Sequence, residues 1–253
     1  MNYSSISGET VQGLNYLTWH RFNTQDHESF RHTKIKSMIE SVLQAQKSKT
    51  LLDIGSGSQP YRKFIENLGL KYTAHDFALY TTEQETAFFG LHNSEMPDNS
   101  PEIVCDVLEI PEVSRFDLIL CTEVLEHVPD PVALLEKAIK LASPGGSIIF
   151  SVPGNSWTHQ APFYFTAGLS PFWFEYHLAK LGAELVDGIL IGNLKTVVFQ
   201  SMISLESLRA KSVLRALGWL YRKIYLSTPR KVADAGLFNA PISQVIVLIK
   251  KGN

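Results

Sequence analysis

The sequence predicts an α/β protein built on a mainly parallel sheet with helices on both faces. Strand-like runs alternate with stretches of helical periodicity, which is the order of a doubly wound fold. The strand-like runs are continuously apolar, as strands buried on both faces must be. Several of them end on glycine or aspartate, the residue types that meet a ligand at the carboxyl edge of such a sheet.

Composition narrows the function classes. The 253 residues are 45% hydrophobic and 19% charged, ordinary globular values, and suffice for one elaborated domain. A net charge of −2 gives no reason to expect a nucleic-acid partner. Cys105 and Cys121 both sit in apolar runs and read as small hydrophobes in a reduced compartment. The polar opening MNYSSISGETVQG lacks the build of a secretory signal, and no run of 18 apolar residues occurs. A cytoplasmic protein is expected.

The elements follow in order. Residues 1–30 give no regular pattern, whereas Phe30, Ile35, Met38, Ile39, Val42 and Leu43 recur at helical spacing within about 28–46. Thr50 to Ile54 reads as a buried strand that runs into the loop Gly55-Ser56-Gly57-Ser58. A helix over 61–68 is closed by Gly69. Lys71 to Asp76 is a second strand and Ile103 to Cys105 a weak third, separated by a long polar loop. Phe116 to Cys121 is a strong fourth. Asp130-Pro131 then opens a helix with an acid at the N-cap and proline at the first helical position. That helix stops at Ser143-Pro144-Gly145-Gly146, and Ser147–Val152 is a fifth strand. FWFEYHLAKLG is helical, with Phe172, Phe174 and Leu178 as core positions. Ile242–Lys250 is a last strand.

The glycine loop follows the first strand, where a tight turn lets the backbone approach a ligand. A dinucleotide site would continue to a third glycine, but Pro60 stands there, which disfavours a nicotinamide-dependent oxidoreductase. Asp76 lies 23 residues after Asp53, at the end of the second strand, where a carboxylate can accept from two ribose hydroxyls. Asp106 ends the third strand, placed to meet an adenine amino group.

LLDIGSGS, YTAHDF, VCDVLEIP and FDLILCTEVLEHVPDPVALLEKAIKLASPGGSIIFSVP together resemble the class I methyltransferase family over about Thr50 to Pro153. The resemblance implies a Rossmann-like, three-layer α/β/α fold of seven strands, the last antiparallel. It also implies an S-adenosyl-L-methionine site at the tips of strands one to four. Carried over, Gly55 and Gly57 approach the methionine moiety, Asp53 orients the loop and the ligand's ammonium, and Asp76 holds the ribose. Asp106 and Val107 meet the adenine, and Thr122 lines the methionine pocket. The whole chain is then one methyltransferase domain: a helical cap at 1–48, the core at 49–193, a basic helical insertion at 194–240 and the last strand at 241–253.

The acceptor pocket is expected after the fifth strand, where His159, Tyr164, Glu175 and His177 are the polar groups available. Glu123, Glu126 and His127 stand at i, i+3 and i+4, which on a helical turn puts them on one face. With His159 they form a candidate shell for a divalent cation such as magnesium. The E-x-x-E-H pattern resembles the metal motif of small-RNA 3′-terminal 2′-O-methyltransferases and of ubiquinone-pathway O-methyltransferases. Without metal, His127 or His159 remains as the general base. The expected activity is O-methylation of a small molecule or glycan, with a catalytically silent scaffold or partner subunit as the alternative. Residues 202–232 carry seven basic side chains against one acid, Glu206, with leucines at near-helical spacing. They form either a peripheral membrane contact or an ordinary packed helix. Oligomeric state is not legible.

Overall fold

The computed structural model of the chain describes residues 19–22, 27–77, 100–113, 115–160, 162–192, 219 and 242–252. Its elements are β1 (Trp19–Phe22), α1 (His27–Ala45), β2 (Thr50–Ile54), α2 (Arg62–Asn67), β3 (Lys71–Asp76), β4 (Ile103–Val104), β5 (Phe116–Thr122), α3 (Pro131–Leu141), β6 (Ala142–Pro153), α4 (Pro171–Leu181), β7 (Ala183–Ile191) and β8 (Gln244–Lys251). Single 3₁₀ turns follow β4 (Val107–Glu109) and β5 (Leu125–His127). The basic segment 202–232 lies outside the described residues apart from Trp219.

One sheet runs in the order β1-β7-β8-β6-β5-β2-β3-β4. β2 pairs in parallel with both β3 and β5, while β8 is antiparallel to β6 and β7. Seven of these strands make the expected doubly wound sheet with its last strand reversed. β1 adds an eighth, parallel to the edge of β7 through Trp19↔Gly188 to Phe22↔Ile191. It falls in the stretch expected as a helical cap. Four residues without alternation carry no strand signal of their own, so the pairing with β7 makes this element. β7 was implied only by the family resemblance, although the apolar GILI after Gly182 is the run that forms its buried half.

Alternation along the strands divides the core between the two faces. Leu52, Ile119, Cys121, Val245, Val247 and Ile249 face α3 and α4, packing with Leu134, Leu135, Phe174 and Leu178. Leu51, Leu118, Leu120, Ile246 and Leu248 face the other way, onto Ile35, Ile39 and Ile65 of α1 and α2. Phe174 and Leu178 are buried as expected, but Phe172 is 41% exposed. It sits two positions from Phe174 on the helix, which turns it away from the sheet.

The Ser143–Gly146 stretch does more than stop a helix. β6 already pairs at Ala142 with Phe116, and the ladder resumes at Leu118↔Ser147. The four residues between bulge out, with Gly145 at φ 68°. Among the described residues no helix is long and apolar enough to cross a membrane.

Candidate active site

Strand order reverses between β2 and its two parallel neighbours, so the ends of β2, β3 and β5 form the crevice in which doubly wound sheets bind ligands. The glycine loop closes over it. Ser56 N–H donates to the His75 carbonyl at 2.9 Å, and Gly57 N–H donates to Asp76 Oδ2 at 3.0 Å. Gly55 has φ 65°, and a Cβ there would lie 2.5 Å from Val124 Cγ2. This loop therefore packs against the segment after β5 only because residue 55 has no side chain. Gly57, at φ 47°, has open space where a Cβ would stand. The loop leaves room there for a ligand atom.

Asp53 is buried and accepts from the Tyr72 hydroxyl through Oδ2. Its Oδ1 has no hydrogen-bond partner among the described residues. Burial pushes its carboxyl up to about 7, the Tyr72 hydrogen bond opposes that rise, and the nearby Asp76 charge adds to it. Asp76 is buried beside it. The structure thus brings Asp53, Gly55, Gly57 and Asp76 together.

Asp106 and Val107 sit differently from the other predicted residues. Asp106 is exposed, and its Oδ1 accepts from Leu108 N–H at 2.8 Å to cap the first 3₁₀ turn. The Val107 side chain is buried in the core, which leaves its backbone as the group it can offer a ligand. Thr122 ends β5, half-buried, paired with Ser151.

Beyond β5 the expected shared face of three side chains does not form. Glu123 adopts φ 56°, outside any helix, and its carboxylate is already engaged. Ser151 Oγ donates to Oε1 at 2.8 Å, Gln244 Nε2 to Oε2 at 3.1 Å, and Arg31 lies 2.9 Å from Oε2. Glu123 is therefore a tie between α1, β6 and β8 and stands apart from the expected cation shell. Glu126, His127 and His159 do converge, with ligating atoms all within 4.8 Å of one another.

The tautomers of both histidines follow from their partners. A carbonyl oxygen only accepts, so His127 donates Nδ1–H to Phe163 O at 2.5 Å and His159 donates Nδ1–H to Trp157 O at 2.8 Å. Each neutral ring then keeps its lone pair on Nε2. The rings meet edge to face at 4.9 Å. Burial lowers the His127 pKa, and the nearby His159 adds to that. Glu126 is fully buried, neither carboxyl oxygen has a hydrogen-bond partner among the described residues, and burial with the Glu123 charge pushes it up to about 9. Phe165 N–H donates to Glu126 O at 2.8 Å, so the loop after β6 is pinned to this turn. Tyr164 lies beside His159, its ring centroid 5.1 Å away, and donates to Ser156 O at 2.8 Å. His177 packs with Trp173 and Tyr176 on α4, outside the Glu126–His127–His159 cluster, and Glu175 lies on the same helix.

Two groups of site residues carried no sequence signal. Arg62 donates to both Glu102 oxygens at 2.7 and 2.9 Å, and its guanidinium lies 4.4 Å from the centroid of Tyr72, the residue that binds Asp53. Arg31 reaches Glu123 from α1. Both depend on contacts between distant segments, which spacing along the chain does not encode.

Residues 27–210 match the sequence family described as "Methyltransferase domain". The ubiquinone biosynthesis O-methyltransferase of Paraburkholderia phytofirmans is 34% identical over 105 residues, covering 41% of this chain and 44% of that protein. The ubiquinone biosynthesis O-methyltransferase of Xanthomonas oryzae pv. oryzae is 34% identical over 140 residues, covering 55% of this chain and 51% of that one. The chain thus spans about half the length of the curated relatives it matches. A proposed sarcosine dimethylglycine methyltransferase from Galdieria sulphuraria shares the fold, with a TM-score of 0.54 at 15% identity over 89% of this chain and 87% of that one. With the family match over most of its length and the doubly wound sheet beneath it, the chain belongs to the class I methyltransferase family.

Proposed function

We propose that this chain is an S-adenosyl-L-methionine-dependent O-methyltransferase acting on a hydroxyl of a small molecule or glycan. Its reactive centre lies between the glycine loop and the His127–His159 pair. The observation that carries the reading is the pair of imidazoles held through Nδ1 by backbone carbonyls beside the end of β5, with the His127 Nε2 facing Glu126 Oε1 at 3.6 Å and the His159 Nε2 turned to the same cluster. The adenosylmethionine would supply a methyl group on an electrophilic sulfonium. The buried Asp53 Oδ1 and the space above Gly57 fit its ammonium and methionine chain. Asp76, and Asp106 with the Val107 backbone, remain the proposed partners of ribose and adenine, and Thr122 a wall of the methionine pocket. An Nε2 lone pair takes the acceptor's hydroxyl proton as the new C–O bond forms and the S–C bond breaks. The two similar relatives named as O-methyltransferases support oxygen as the acceptor atom.

A cation is a second component that the donor set allows. Glu126, His127 and His159 would hold it, and each histidine is already oriented by a carbonyl, as metal-binding imidazoles usually are. When bound, the cation would lower the acceptor hydroxyl's pKa. With Glu123 withdrawn, two imidazoles and one carboxylate suit manganese, iron or zinc better than magnesium. The proposal includes one domain over 1–253, in which β1 and α1 precede the core at 49–193, and a cytoplasmic location. For 202–232, flotation with anionic vesicles at low salt separates a peripheral membrane contact from a packed helix.

Transfer of labelled methyl to hydroxylated acceptors tests the activity. Turnover that survives excess chelator would remove the cation and leave the two histidines as the base. Cofactor binding without transfer to any acceptor in a broad panel would favour the silent scaffold.

A further inference from the structure

We propose that Tyr72 is a positioning residue of the cofactor site, whose phenol, braced by Arg62 and Glu102, holds the Asp53 carboxyl in place for the ligand's ammonium. The inference rests on the cofactor reading given above and concerns residues outside the glycine-loop motif.

Four residues from separate segments form a chain from rim to core. Glu102, just before β4, holds Arg62 of α2 by two hydrogen bonds and also accepts from Ala74 N–H at 2.6 Å. Gln59 Oε1 accepts from Arg62 Nε at 2.5 Å, fixing the guanidinium from the other side. The guanidinium lies over the Tyr72 ring, and the Tyr72 hydroxyl donates to Asp53 Oδ2. The phenol cannot reverse this bond by releasing its proton, because burial and the Asp53 charge raise its pKa. It therefore acts as a fixed donor. A donor to a carboxylate stabilises the charged form. It also holds one oxygen in place and leaves the other, the buried Oδ1, without a hydrogen-bond partner among the described residues.

The ionisable groups facing Asp53 are few. Tyr72 and Asp76 come from β3 and Arg62 from α2. Cys121 comes from β5, and burial raises its thiol pKa so far that it stays neutral. Asp76 disfavours a charge on Asp53, while Arg62 and Tyr72 favour it. Burial outweighs them and leaves the carboxyl titrating at about 7. Loss of the Tyr72 hydroxyl moves that titration upward, whereas mere loosening of the fold would not.

The test is calorimetric binding of S-adenosylhomocysteine to the full chain between pH 6 and 8.5, with 5′-methylthioadenosine as a probe lacking the ammonium. For the wild type, affinity for S-adenosylhomocysteine rises about tenfold from pH 6 to pH 8 as Asp53 ionises, while that for 5′-methylthioadenosine stays level. Tyr72→Phe weakens S-adenosylhomocysteine binding about 5- to 50-fold at pH 7 and less than about fourfold at pH 8.5. Arg62→Gln moves the profile the same way by less, and serves as the variant if Tyr72→Phe does not give a cooperative thermal melt. A loss of affinity equal at every pH, or an unchanged profile in both variants, would overturn the role of Tyr72. Absence of any binding by the wild type would instead overturn the cofactor reading beneath it.

Discussion

The buried Asp53 carboxyl works against stability near neutral pH. Its folded-state pKa of about 7 lies above the ordinary carboxyl value of 3.8. Between these values the folded chain keeps a proton that the unfolded chain has lost. Stability attributable to Asp53 is therefore full below about pH 4, falls as pH rises towards 7, and levels off above it. Asp53→Asn removes that slope while keeping an acceptor for Tyr72. The variant should be about 2–4 kcal/mol more stable than wild type at pH 8, nearly equal to it at pH 4, and impaired in cofactor binding. Urea melts at the two pH values, with calorimetry alongside, check all three statements. Gly55 makes the opposite demand. Alanine there must hold a positive φ and displace the stiff Val124, so Gly55→Ala should lower stability by about 1–3 kcal/mol and cofactor affinity at least tenfold. Thermal melts and the same calorimetry would show it.

At the scale of elements, the local rules of helix ends proved strong enough to read directly. Asp130 accepts from Val132 and Ala133 N–H at 3.1 and 3.0 Å, with Pro131 starting α3 as its fixed φ favours. Asp130→Ala should therefore cost about 1 kcal/mol, read as a lower urea midpoint with unchanged slope. β2, β5 and β8 were legible from their apolar runs, β3 from its place between the helix-closing Gly69 and the terminal Asp76, and α1 because its buried positions recur every three or four residues. β1 was not legible, since among the described residues its strand pairing is with the edge of β7. The Glu123 misreading has the same origin. A spacing of i, i+3, i+4 implies one face only while the backbone is helical, and φ 56° at Glu123 breaks that condition. Glu126 and His127 sit on the short 3₁₀ turn and remain together. The Arg62–Tyr72 brace joins α2 to β3, and neither partner stands out in its own segment.

For the whole molecule, the sheet acts as the frame that makes these local pieces one site. Reversal of strand order at β2 brings the glycine loop, Asp76 and the turn after β5 to one edge. Helices on both faces bury Leu51 and Leu52 in opposite directions, so β2 is held rigid directly beneath the loop. Arg31 then ties α1 to the tip of β5 through Glu123, and the Phe163 and Phe165 backbones tie the loop after β6 to the Glu126–His127 turn. The proposed cofactor and acceptor sides thus share one scaffold. The most direct measurement is titration of the purified full chain with S-adenosyl-L-methionine at pH 8, beside a folded Asp76→Ala variant. Saturable binding at one site per chain is expected, weakened about 10- to 100-fold in the variant by loss of charge-assisted hydrogen bonds. No saturable binding by the wild type, or equal affinity in the folded variant, would contradict it.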